Sequence, residues 1–110
     1  MAFNYNHITL VGRLARDPES EKVGDTIKAS FSIAIDRPWR KDDGTKETDF
    51  VSVRLWGRLA ETASRSLKKD APVLVEGRLQ IREYEKNGER RWISEVVGEN
   101  FQILKPLTEK

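Results

Sequence analysis

Four aromatic residues, Trp39, Phe50, Trp56 and Tyr84, sit among polar and basic neighbours, and they are the side chains of this sequence best suited to a chemical task. The chain has one histidine, His7, no cysteine and no glycine-rich loop of the phosphate-cradling kind. Thiolate nucleophiles, thiolate metal sites and disulfides are thereby excluded, which suits a reducing cytoplasm. Acid groups remain as candidate chemistry: Asp42-Asp43 and Asp17, Glu19 and Glu21 could hold a hard cation, but both sets lie in turn-rich polar stretches beside basic residues, where solvated turn acids are the ordinary reading. No cofactor and no metal is expected. An aromatic ring left in water forfeits about 1.5 to 3 kcal/mol of burial, so several on polar stretches ask for a partner. Bases of a single-stranded nucleic acid stack on such rings for about 1 to 3 kcal/mol each without regard to sequence, while Lys and Arg neutralise the phosphates.

Global charge does not announce such a partner. Twenty Lys and Arg stand against eighteen Asp and Glu, a formal charge of +2, and a mixed solvated surface would equally explain a charged content of 35%. With 110 residues and 37% hydrophobic content, residues 1–110 are expected to form one domain with one core. Aliphatic runs are four to eight residues long, far below the roughly 20 of a membrane span, and no leader pattern opens the chain. A soluble protein with no membrane partner is the expectation.

The elements that must position the aromatics follow from periodicity. His7 to Leu14 alternates, with Ile8, Leu10 and Leu14 on one side and His7, Thr9, Val11 and Arg13 on the other. Thr26 to Ile35 places Ile27, Ala29, Phe31, Ile33 and Ile35 inward and Lys28, Ser30, Ser32 and Ala34 outward. Asp36 to Thr48, polar and interrupted by Pro38 and Asp42-Asp43-Gly44, reads as a mobile hairpin loop carrying Trp39. Asp49 to Trp56 alternates Val51, Val53 and Leu55 against Phe50, Ser52, Arg54 and Trp56. The period then changes: Leu59, Ala60, Ala63 and Leu67 predict one helix over 58–69. Ala71 to Tyr84 returns to period two, with Val73, Val75, Leu79 and Ile81 inward and Glu76, Arg78, Gln80, Arg82 and Tyr84 outward. Asn87-Gly88 makes a hairpin turn, Arg91 to Val97 returns, and Phe101 to Leu104 completes a sheet edge. Three strands, one helix, then further strands is the order of an all-β OB-fold: a five-stranded Greek-key barrel with a helix between strands three and four and a long hairpin after strand four.

On such a barrel the outward sets of the first four strands carry Arg13, Lys28, Arg54, Arg78 and Arg82 against one acid, Glu76, alongside Phe50, Trp56 and Tyr84. Bland readings stand beside this one. Trp56 next to Gly57 could cover the helix start, Phe50 could be a subunit contact, Tyr84 and Trp92 could be cross-strand partners, and His7, Thr9 and Val11 form a mild face suited to another subunit. A protein-binding OB module or an RNA-binding one would use a similar surface, although a protein partner does not require Trp39 in a loop as well as Trp56 on the sheet.

In this arrangement the chain resembles the bacterial single-stranded DNA-binding protein family over nearly its full length. The phrases that carry the resemblance run in order: Asn6-His7-Ile8, Gly12-Arg13-Leu14, Arg16-Asp17-Pro18-Glu19, Phe31-Ser32-Ile33-Ala34, Arg37-Pro38-Trp39 and Thr48-Asp49-Phe50. They continue through Leu55-Trp56-Gly57-Arg58-Leu59-Ala60-Glu61, Val75-Glu76-Gly77-Arg78-Leu79, Arg82-Glu83-Tyr84 and Glu95-Val96-Val97. The resemblance implies a non-enzymatic, cytoplasmic, nucleoid-associated homotetramer, a dimer of dimers, that coats and protects single-stranded DNA during replication, recombination and repair. It implies stacking at Trp39, Phe50, Trp56 and Tyr84, and phosphate contacts at Arg40, Arg58, Lys69 and Arg82 besides the outward basic set. Asp70 stands where the family usually has glycine. The family's acidic tail, which recruits replication and repair partners, is absent from a chain that stops in a basic ending at Lys110, so the reading is either the DNA-binding core of a longer protein or a naturally short variant.

Overall fold

A computed structural model describes residues 3–104; the basic ending at Lys110 lies outside them. Six strands and one helix follow in the order β1 (Ile8–Leu14), β2 (Glu19–Val23), β3 (Thr26–Arg40), β4 (Lys46–Trp56), α1 (Gly57–Ser66), β5 (Pro72–Lys86) and β6 (Glu89–Ile103). The sheet order is β1-β5-β6-β4-β3-β2, and β1 also pairs with β3, so five strands close a ring while β2 hangs on the outside of β3. Every pairing is antiparallel except β4 with β6. This is the barrel the alternation predicts.

Closure requires two close backbone passages, and glycine stands at both. A Cβ on Gly12 would strike Ile33 and the Ala34 carbonyl where β1 crosses onto β3. On Gly77 it would strike the Val97 carbonyl, where the β5–β6 register shifts and leaves Glu99 as an extra residue. Inside the ring Leu14, Phe31, Ile33, Val53, Leu55, Val73, Val75 and Val96 form the core, joined by Ala60, Ala63 and Leu67. Deleting such a side chain to alanine costs about 2 to 5 kcal/mol at the larger sites, so this cluster is what holds the outer face in shape.

The helix ends three residues before the predicted Lys69. Leu67 has already turned to an extended conformation, with its N–H on the Ala63 carbonyl, yet it remains buried. The apolar stripe therefore predicts burial correctly and helix length incorrectly. After it, the Asp70 N–H donates to the Leu14 carbonyl and the Lys69 N–H to Asp17 Oδ1, tying this turn to the end of β1. Asp70 adopts φ 73°, the left-handed region that glycine enters freely and aspartate tolerates.

Three expectations need correction. The stretch 36–48 is not a loop: β3 runs to Arg40 and β4 starts at Lys46, leaving 41–45 as the turn, with the Lys41 N–H on the Thr45 carbonyl. Apart from Pro38 and Trp39 the side chains there are polar, so the alternation signal vanishes although the strands continue. For the same reason β2 gives no sequence signal; all five residues of Glu19–Val23 are exposed. Leu79 and Ile81, expected inward, are exposed. They keep the same parity as Val73 and Val75, but no opposing layer covers them, Leu79 at the rim of the barrel opposite Val96 and Ile81 on the ribbon beyond it.

Candidate nucleic-acid interface

Cross-strand partners share a face, and the registers assemble the outward residues into rows. Glu21, Lys28 and Trp56 make one row across β2, β3 and β4. Glu19, Ser30, Arg54, Val97 and Arg78 make the next, crossing five strands. Ser32, Ser52, Glu95 and Gln80 follow, and then Arg13, Ala34 and Phe50. Four of the predicted cations, Arg13, Lys28, Arg54 and Arg78, and two of the four aromatics thus share one continuous surface, with a depression of about 310 Å³ between its serines and arginines.

All four aromatics are solvent-accessible: Trp39 is 59% exposed, Phe50 67%, Trp56 39% and Tyr84 42%. Phe50 lies opposite Ala34, a small neighbour that leaves its ring face open. Trp56 immediately precedes the helix, yet its exposure argues against a covering role at the helix start. Trp39 and Tyr84 extend the set along two ribbons that leave the barrel, Trp39 on the β3–β4 arm and Tyr84 opposite Arg91 on the β5–β6 arm.

The expected five-to-one excess of cations is not how the face is charged. Lys28 Nζ lies 2.6 Å from Glu21, Arg13 3.6 Å from Asp36, and Arg54 and Arg82 each 3.2 Å from Glu95. Glu21 is held below the usual carboxylate range by its hydrogen bond from Lys28, and Asp36 chiefly by the Thr48 hydroxyl. Among the five, Arg78 has no carboxylate partner within the described residues and donates to Gln80 instead. Glu76, the one acid expected, sits toward β1 between His7 and Asn100. Most of these cations are therefore pre-oriented by neighbouring acids.

The remaining predicted residues scatter around this surface. Arg58 lies in the first turn of α1, exposed; Lys69 lies in the turn after it; and Arg40 caps the far arm, donating to the Gly44 carbonyl. Thr9 and Val11 take their partners from β5, Thr9 opposite Glu76 and Val11 opposite Leu74, and His7, just before β1, lies 3.8 Å from the Glu76 carboxylate. They are separate from the aromatic rows. Three of the five acids weighed for metal chemistry are engaged within the chain: Asp43 accepts from the Thr45 N–H and hydroxyl, which lowers its pKa, Asp17 accepts from the Lys69 N–H, and Glu21 pairs with Lys28.

Two participants were missed from the residues alone. Arg37 donates to both Asp49 oxygens, at 3.1 and 3.0 Å, and to Glu47 at 2.9 Å, bracing the arm that carries Trp39. Its Asp49 hydrogen bonds raise the arginine pKa and lower that of Asp49. Glu95 is the other. The Asn87-Gly88 turn sets a register that places it opposite Gln80 and diagonal to Arg82, so the signal was present in the hairpin count.

Residues 5–104 match the family described as the single-strand binding protein family. The chain is 40% identical over 107 residues to single-stranded DNA-binding protein 1 of Clostridium acetobutylicum, covering 94% of this chain and 97% of that protein. It is 36% identical over 107 residues to single-stranded DNA-binding protein 2 of Streptococcus agalactiae, covering 96% and 82%. Against the single-stranded DNA-binding protein of Halalkalibacterium halodurans the identity is 39% over 103 residues, covering 92% and 61%.

Proposed function

Because the chain belongs to the single-strand binding protein family, we propose that its outer face is the surface on which single-stranded DNA is held. The protein binds single-stranded DNA in replication and repair, without catalysis of its own. The observation that carries the proposed site is the run of cross-strand rows that sets Arg54, Arg78, Phe50 and Trp56 on one face, with exposed Trp39 and Tyr84 on the two arms beyond it. Stacking on these rings supplies affinity that does not depend on base identity, and the arginines Arg13, Arg54, Arg78 and Arg82 with Lys28 meet the backbone. Arg40, Arg58 and Lys69 extend the phosphate path at the edges. Such a protein works where DNA is, so nucleoid association in the cytoplasm belongs to the same reading; among the described residues no helix is long and apolar enough to cross a membrane.

Association of copies is part of the proposal. Leu79, Ile81 and Trp92 are exposed along one face of the β5–β6 ribbon, as is Val11 on β1, and a homotetramer built as a dimer of dimers would cover such surface. Sedimentation at a mass about four times the 12.7 kDa chain is the expected outcome, and a monomer would refute it. The deciding measurement for the site is titration with oligo(dT) at two salt concentrations. Tryptophan fluorescence is expected to quench and affinity to fall with salt; a competition in which poly(U) displaces poly(dT) at equal concentration would transfer the site to RNA.

A further inference from the structure

Glu95 is the only polar or charged residue buried among the described ones, 3% exposed on the outer side of the barrel where its neighbours face solvent. Burying a carboxylate is costly unless it is paired, and this one is paired twice. Its Oε1 accepts from Arg82 Nε at 3.2 Å, and its Oε2 lies 3.2 Å from Arg54 Nη2. The two arginines come from β5 and β4, the strands on either side of β6, and their side chains form the cover over the carboxylate. Both oxygens being engaged, neither guanidinium can swing away without stranding a buried charge. Arg82 spends its Nε–H on this contact while Arg54 engages as an ion pair, and both keep the rest of their planar forks.

We infer that Glu95 is a positioning residue that holds Arg54 and Arg82 as a preformed two-arginine fork for a DNA phosphate. The inference rests on the single-stranded DNA reading of this face. The clamp carries a formal charge of +1, two arginines against one carboxylate, and the depression beside it is lined by Arg16 and the hydroxyl-bearing Ser30, Ser32 and Ser52, groups that hydrogen-bond an oxyanion. Asp17 and Glu19 face the same depression from the β1–β2 side. Both acids disfavour an anion on their side, and Arg82 is the more exposed arginine, so the phosphate approach is from the side of Arg82. Holding two long side chains in one geometry before DNA arrives removes the ordering cost from the binding step.

Glu95→Gln separates this role from simple charge counting, because the two make opposite predictions. Removing an acid from a DNA-binding face should tighten binding if charge alone matters. If Glu95 positions the fork, the variant binds oligo(dT) about threefold to tenfold more weakly at high salt, where electrostatic help is least. Its dependence of log affinity on log salt also steepens by about 0.7, because one more arginine charge is left to neutralise a phosphate and displace a counterion condensed on the DNA. A parent protein that fails to bind oligo(dT) would sink the functional reading and this inference together. Parent-level or tighter binding by the variant at every salt, or a loss with no change in slope, overturns the inference alone. Should Glu95→Gln fail to fold, Arg82→Lys decides: it keeps the charge but lacks the Nε donor, so weakened binding supports the fork and parent-like binding overturns it.

Discussion

Two ribbons leave the barrel, and they are held in different ways. The β3–β4 arm, residues 36–48, is irregular: its register shifts between Asp36 and Arg40, and side chains hold it, with Arg37 on Asp49 and Glu47 and the Thr48 hydroxyl on Asp36. The β5–β6 arm runs in uninterrupted register from Gly77 opposite Gly98 to Lys86 opposite Glu89, closed by Asn87-Gly88 with φ of 52° and 79°. Its ion pairs, Arg90 with Glu83 and Arg91 with Glu89, decorate a ladder that is already complete. Backbone pairing is insensitive to charge, whereas the first arm keeps its shape through charged groups. The arm that offers Trp39 is therefore the tunable one, and the arm that offers Tyr84 is the stiffer one.

The comparison can be tested in order of effect. Trp39→Ala is expected to lower affinity for oligo(dT) by about 5- to 150-fold, the span of one lost stacking contact, while Tyr84→Ala, a smaller ring beside Arg91, is expected to cost about fivefold. Equal losses at the two sites, read by fluorescence titration, would erase the distinction between the arms. Arg37→Gln touches no DNA in this reading, yet it should speed amide hydrogen exchange across 36–48, leave exchange along β5–β6 unchanged, and weaken binding about twofold to fivefold. Exchange that quickens in both arms would show that Arg37 supports the whole barrel instead.

The smallest effect is that of pH. Asp49 and Asp36 have folded pKa values lowered by Arg37 and by Thr48 respectively, so their contribution is present above the unfolded value near about 4 and is lost as pH falls through the lowered one. Hydrogen exchange corrected for the intrinsic pH dependence of amide exchange should stay flat while acidifying from neutrality until that range and then rise first in 36–48. A rise beginning near neutral pH would assign the arm's order to some other group.

How much of this was legible depends on the reach of each signal. Alternation is a property of neighbours in the chain, so Ile33, Val53, Leu55 and Val75 could be placed in the core, and Phe50 and Trp56 on the outer face, before any fold was known. The helix stripe was legible for the same reason. Strands with polar side chains on both faces give no such signal, which is why β2 and the β3–β4 arm read as loops. Leu79 and Ile81 kept the right parity and still ended exposed, because burial also requires an opposing layer.

The sequence by itself determined the barrel core, the aromatic set and the absence of thiol chemistry, since each follows from residue type and local period. Only the tertiary structure decided how the surface is charged. Glu95, the partner of Arg54, lies 41 residues away along the chain, and the two meet because β4 and β6 are adjacent in the sheet, a juxtaposition that no local pattern encodes.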